Sequence, residues 1–289
     1  MSDARVRALW ADKGLSASVV VVTQSAREGQ RLHGLHDVSA MLLGQAMAAG
    51  ALLASLQKDQ ARVNLQLECD GPLRGLFVDA GADGYLRGYV KNPYLAVEGN
   101  PGPMRWRPAL GNSGFLSVLK DVAVGEYYRS SVELTAMDPA ADLAHYFATS
   151  EQVHSHVALA VERSGSEPLG VVAGVLVQAL PNADPAALEA LGDTLRASLR
   201  QQVAAGADVD AAVLAQALLP DFSTLSRLEL AWRCSCSKER VMVALAAMGK
   251  PELEDLLATK GFAAATCQFC AKRHEASADD LKTLIAALG

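Results

Sequence analysis

Cys234-Ser235-Cys236 and, thirty residues further on, Cys267-Gln268-Phe269-Cys270 place four of the five cysteines in two tight pairs near the end of the chain. Four thiols spaced C-x-C, x30, C-x-x-C can close a tetrahedral thiolate site around a zinc ion. This stretch decides how the chain divides. It marks a small zinc-binding module, predicted over residues 232–289, behind a larger domain.

Between and after the pairs the residues spell short helices. Ser237 is placed to cap a helix with Glu239 in its first turn and Val241, Ala244, Leu245 and Met248 on its buried face, ended by Gly249. Pro251 opens a second through Leu253, Leu256 and Leu257, ended by Gly261, and Phe262 to Thr266 forms a short arm to the second thiol pair. Ser277 and Asp280 have capping-box spacing for a last helix bearing Leu281, Leu284, Ile285 and Leu288. So small a unit has a thin core. A structural zinc would add about 10 to 16 kcal/mol of apparent binding free energy to its folding.

Working upstream, residues 181–231 read as an alanine-rich helical linker. Asp184-Pro185 starts a helix with Leu188, Leu191, Leu195 and Leu199 on a narrow stripe, and a second around Val213, Leu214, Ala217 and Leu218 stops at Pro220. Alanine favours helix but buries little apolar area, so the linker is expected to hold only by leaning on its neighbours.

Residues 1–180 read as an α+β core domain. Ala17 to Thr23 is a β-branched strand, and Val63, Leu65, Leu67 and Cys69 alternate with polar residues as in a strand with one wet face. Leu73 to Asp79 and Tyr85 to Lys91 continue an antiparallel meander around the turn Gly81-Ala82-Asp83-Gly84. After the Gly/Pro loop Glu98 to Pro103 come a strand pair, Phe115 to Val122 and Tyr127 to Thr135, turned at Gly125-Glu126. A helix follows, opened by Asp138-Pro139 and bearing Leu143, Tyr146 and Phe147, then strands Val153 to Val161 and Leu169 to Leu180. From Val38 to Gln57 no residue is charged. Two glycines, two glutamines and many alanines make this a buried helix, with Ser39 as its cap, and not a membrane span.

A 289-residue chain with 51% hydrophobic and 20% charged residues is globular and not disordered. A net charge of −6 argues against a nucleic-acid partner. The charged N-terminus, without an apolar export segment, and the clustered cysteines point to a reducing cytoplasm, where thiols persist and bind metal.

Four cysteinates leave no open coordination position, so hydrolytic catalysis at the metal is not expected and no catalytic residue is assigned. Thiolates near Arg233, Lys238, Arg240, Lys272 and Arg273 can be oxidised, which would couple zinc, folding and redox state. A disulfide inside the C-x-C half would close a small, strained ring of the readily reduced kind. Spacing alone leaves a plain structural zinc ribbon open beside this redox reading. A zinc-ribbon nucleic-acid module lacks its electrostatic footprint, because residues 233–289 carry eight basic and seven acidic side chains. A thiol-disulfide oxidoreductase using Cys267 and Cys270 would not need a second cysteine pair. Elsewhere, His154 and His156 share a strand face but lack further ligands, Cys69 reads as a buried inert thiol, and Met41, Met47, Met242 and Met248 as packing.

At Trp232-Arg233-Cys234-Ser235-Cys236-Ser237-Lys238-Glu239-Arg240-Val241 and Thr266-Cys267-Gln268-Phe269-Cys270 the chain resembles the redox-regulated molecular chaperones of the thirty-three-kilodalton heat-shock protein family. Supporting segments are Leu42 to Ala46, Cys69 to Arg74, Ser150-Glu151-Gln152 and Gly174 to Pro181, so the resemblance spans nearly the whole chain. It departs from the family at Arg273-His274-Glu275-Ala276, where aromatic residues are usual, and at Val153 to His156, where a proline is. The resemblance implies an inactive reduced form with one zinc on Cys234, Cys236, Cys267 and Cys270. It also implies an oxidised form that releases zinc and pairs Cys234 with Cys236 and Cys267 with Cys270. The linker then unfolds, and a homodimer holds unfolding client proteins without ATP as part of a stress response.

Overall fold

A computed structural model describes residues 2–58, 60–96, 106–121, 126–204 and 209–288. The expected loop Glu98 to Pro103 and Gly125 of the expected turn lie outside the described residues. By backbone contacts the chain forms two compact units, Met1–Arg233 and Cys234–Gly289.

The larger unit opens with β1 (Ala4–Trp10) and β2 (Leu15–Val21), an antiparallel hairpin in register from Ala4 opposite Val21 to Trp10 opposite Leu15. In β2 the valines alternate. Val19 and Val21 join one apolar core and Val20 the other, so both faces of this strand are covered. Helix α1 (Thr23–His33) and helix α2 (Asp37–Ala54) follow. The meander is β3 (Arg62–Cys69), β4 (Gly75–Gly81) and β5 (Tyr85–Val90), with Leu65 opposite Val78 and Val78 opposite Gly88. Then come the short α3 (Arg107–Leu110), β6 (Gly114–Asp121), β7 (Tyr127–Glu133) and α4 (Pro139–Tyr146), whose N-cap Asp138 accepts from the Ala141 N–H. A wide helical turn, Phe147–Glu151, leads into the hairpin β8 (Ser155–Ser164) and β9 (Glu167–Ala179).

The linker region contains α5 (Pro185–Ala204) and α6 (Ala211–Leu218), as expected, but also β10 (Ser223–Glu229) and β11 (Ala231–Trp232), which were not. Strand β10 pairs antiparallel with β1, and β11 pairs parallel with β5. The result is a five-stranded sheet in the order β10-β1-β2-β9-β8 and a six-stranded sheet in the order β11-β5-β4-β3-β6-β7.

Helix α2 lies between the two sheets, which explains its missing charges: every side of it meets apolar side chains. Its small residues set the spacing. A Cβ on Gly50 would fall 2.7 Å from a Val78 methyl, and one on Gly44 3.2 Å from a Val172 methyl, so the glycines let a sheet approach on each side. The helix is long and apolar enough to cross a membrane, yet 94% of it is buried in protein, as a core helix should be. Ser39 is not its cap. The helix starts at Asp37, and the buried Ser39 hydroxyl instead donates to the Asn92 carbonyl and accepts from the Leu95 N–H, tying the helix to the strand β5 exit.

Helices α5 and α6 cover the opposite face of the five-stranded sheet. Leu188, Leu195, Leu199 and Val203 of α5 and Leu214 and Leu218 of α6 pack with Val6, Val19, Val175 and Val177 into a second core. Val213 points to solvent instead of inward, because Asp210 caps α6 through the Ala212 and Val213 N–H groups and turns Leu214 to the sheet. Polar anchors are few and exposed: Lys13 to Asp184, Arg196 to Asp138 and Arg227 to Asp210. Surface pairs of this kind are screened by solvent and contribute little. Helices α5 and α6 therefore rest on the sheet mainly through apolar contact, while β10 is held by its pairing with β1.

The smaller unit contains α7 (Lys238–Ala246), α8 (Lys250–Lys260), β12 (Ala263–Thr266), β13 (Arg273–Ala276) and α9 (Ala278–Ala287). Its fully buried core is Leu253, Ala263, Ala276 and Leu281, with Met242, Leu245, Leu256, Leu257, Leu284 and Ile285 half-buried around them. The inward face of α7 is thus Met242 and Leu245; of the residues expected there, Ala244 is exposed and Met248 is half-exposed near the helix end. Ser277 and Asp280 form the expected capping box. Lys238 and the Ser277 hydrogen bonds hold the Asp280 carboxyl down to about 2.

Candidate metal centre

Two arms of the smaller unit carry the thiols. Cys234 and Cys236 precede the N-cap Ser237, whose hydroxyl accepts from the Arg240 N–H and starts α7. Cys267 and Cys270 sit in the turn between β12 and β13, closed by Cys267 N–H to Lys272 carbonyl at 2.9 Å and Ala271 N–H to Cys267 carbonyl at 2.9 Å. Ala271 takes a positive φ of 57° to make that turn. The antiparallel pairing, Thr266 opposite Arg273, fixes where the turn points.

All four Sγ atoms lie within 4.8 Å of one another. Cys234 and Cys267 sulfurs are 3.7 Å apart, and those of Cys236 and Cys270 3.3 Å. Zinc–sulfur bonds of ~2.3 Å in a tetrahedron separate sulfurs by roughly 3.8 Å, so the cluster has nearly the dimensions of a four-thiolate site. Among the described residues no other group of three or more His, Cys, Asp or Glu side chains gathers this way.

Without a cation Cys236 and Cys270 resist ionisation. Burial and then the neighbouring sulfurs push Cys236 up to about 12. Cys270 is raised too, by burial first, against the Lys272 backbone N–H that points at its sulfur and favours the anion. A divalent cation reverses this balance, because it replaces repulsion between adjacent thiolates with attraction to a common centre. The donor set fits zinc.

One contact was not visible in the sequence. His274 of β13 is buried, and its Nε2 lies 3.2 Å from Cys236 Sγ. The other singled-out residues are not members of the cluster. His154 is exposed, while His156 faces Gly192 of α5 with Glu189 3.8 Å from its Nε2. Cys69 is half-buried at the end of β3 and not fully inside; burial raises its pKa, which keeps it a thiol. Met41 and Met47 are core residues.

Mixed sheets and helices, with a smaller unit whose four cysteines gather closely enough to hold a metal ion, define a two-unit α+β protein. A family model described as "Hsp33 protein" matches residues 3–277. The 33 kDa chaperonin of Synechococcus elongatus is 38% identical, over 100% of this chain and 99% of its own length. That of Thermosynechococcus vestitus is 39% identical, over 100% and 98%. The crystal structure of the 33 kDa chaperonin from Thermotoga maritima matches 99% of each chain with a TM-score of 0.87 at 24% identity, a likeness of fold. The chain belongs to the Hsp33 family.

Proposed function

We propose that this protein is a redox-regulated holdase chaperone that binds unfolding proteins without ATP. The observation that carries the reading is the convergence of four cysteine sulfurs, from two separate arms, in a module whose fully buried core is four side chains. In the reduced state zinc bound to Cys234, Cys236, Cys267 and Cys270 would hold the arms together and contribute much of the module's folding energy.

A peroxide supplies the oxidant. A cysteinate sulfur attacks one peroxide oxygen, the O–O bond breaks, and the sulfenic acid and hydroxide form. The neighbouring cysteinate then attacks that sulfur and expels a second hydroxide, leaving a disulfide. Pairing Cys234 with Cys236 and Cys267 with Cys270 removes all four ligands, so the site no longer retains the metal. The arms are then free to part and the module to unfold.

The linker is the next element to yield. Helices α5 and α6 rest on the outer face of the five-stranded sheet by apolar contact and weak surface pairs. Their departure would bare Val6, Val19, Val175 and Val177 on the sheet and Leu188, Leu195 and Leu199 on the linker, surfaces suited to unfolded chains. The active form is read as a homodimer in the cytoplasm, with neither nucleic acid nor membrane as partner and no enzymatic activity. Aggregation of a heat-unfolding client, followed by light scattering, tests the reading. Peroxide-treated protein is expected to suppress scattering and reduced protein not to; protection independent of redox state contradicts it.

A further inference from the structure

Strand β13 alternates. Arg273 and Glu275 face solvent, while His274 and Ala276 face inward, Ala276 meeting Ala263 across the hairpin and His274 standing opposite Ala265. His274 thus occupies a position that an apolar side chain would ordinarily fill, and only 8% of it is exposed. A buried imidazole needs a hydrogen-bond partner. Its Nε2 finds one in Cys236 Sγ, at 3.2 Å, where α7 starts against β13.

With free thiols either atom could donate. A metal-bound cysteinate has no hydrogen to give, so in the loaded protein the contact forms only with the hydrogen on Nε2. Cys270 receives a comparable bond from the Lys272 backbone N–H. Cys236 depends on a side chain for its bond, and a side chain can be changed without altering the turn.

We infer that His274 is a positioning residue of the metal centre: its Nε2–H donates to the Cys236 sulfur, tightening the hold on zinc and slowing that sulfur's attack on peroxide. The inference rests on reading the four cysteines as a zinc site. The bond fixes the Cys236 sulfur in its place at the metal, which tightens the hold on zinc, and it draws electron density from the thiolate, which lowers its nucleophilicity toward peroxide. In the oxidation written above, in which sulfur gives an electron pair to peroxide oxygen and hydroxide departs, Cys236 is the sulfur held back.

The test uses the full-length, reduced, zinc-loaded protein and two variants. His274→Phe fills the inward position without an N–H, and His274→Gln keeps a donor at about the reach of Nε2. Competition against a chelating dye is expected to show roughly tenfold or more weaker zinc binding for His274→Phe, with faster zinc release at fixed peroxide, and His274→Gln near wild type. Nitrogen-15 spectra of the wild-type histidines are expected to place the His274 hydrogen on Nε2, a readout that stands even if a variant folds poorly. Equal zinc retention in wild type and His274→Phe, equal loss in both variants, or a hydrogen on Nδ1 alone would overturn the inference and leave the zinc site standing. A wild-type protein that takes up no zinc would overturn both.

Discussion

The sulfur of Cys236 stands 3.3 Å from that of Cys270, so the cysteine pairs that are neighbours in sequence are joined in space across two different arms. A disulfide across the arms, Cys236 to Cys270, would staple them: a loop of this length stabilises a fold by about 3 to 4 kcal/mol in the chain-entropy account. A disulfide within an arm constrains almost nothing. Only the second pattern lets oxidation open the module. Mass spectrometry of the peroxide-treated protein is expected to find Cys234 linked to Cys236 and Cys267 to Cys270, and cross-arm peptides as the main product would refute the opening step.

Removing zinc without oxidation should separate metal from thiol chemistry. With four fully buried core side chains, the smaller unit has too little apolar burial to offset its chain entropy. Chelation under reducing conditions is expected to abolish amide protection in α7, α8 and α9 while β3 and β4 keep theirs, and added zinc should restore it. Persistent protection of the three helices would mean the module folds without metal.

Leu199, on the inward face of α5, is fully buried against the sheet. Leu199→Ala should cost about 2 to 5 kcal/mol at this contact, more than the exposed Arg196–Asp138 pair contributes. Hydrogen exchange of residues 185–204 is expected to rise, and the reduced variant should gain part of the client protection of the oxidised protein. A loosened α5 with no such gain would disconnect the linker from client binding.

How much of this was legible in the chain follows the range of the contacts. The caps at Asp138, Ser237 and Ser277 and the alternation of β3 are local patterns, and each is found where the pattern put it; the two cysteine pairs, equally local, are brought together in space. Strand β10 was hidden because Ser223 to Glu229 is an edge strand with mostly exposed side chains, and what makes it a strand is pairing with β1 more than two hundred residues earlier. Ser39 looked like a cap by type alone, while its partners Asn92 and Leu95 come from beyond the meander. His274 was equally hidden. Its contact with Cys236 exists only once the hairpin has folded, although its place in an alternating arm leading from the second cysteine pair was a signal available to find it.

Glu151 connects β6 to the turn after α4, accepting from Lys120 at 2.6 and 2.7 Å and from the Tyr146 hydroxyl. Burial alone would raise its carboxyl, but the Lys120 and Tyr146 hydrogen bonds outweigh it and hold the group below its ordinary range. A carboxyl depressed in the folded state contributes stability above its unfolded pKa, near 4.5, and loses it as pH falls through the folded value. Glu151→Gln is expected to lower neutral-pH stability by about 1 to 3 kcal/mol, leaving Lys120 without its anion, and to flatten the fall of the melting temperature below pH 4.5. An acid profile identical to wild type would remove Glu151 from this role.

If the four cysteines act as a zinc-held latch, loss of zinc and gain of client binding are one event. Peroxide and mild heat should be applied to a single sample, with a zinc-sensitive dye and light scattering from an unfolding client recorded together. The two signals are expected to rise and fall on the same time course, and dithiothreitol with zinc to reverse both. Full protection before any zinc appears, or complete zinc release with no protection, would contradict the account.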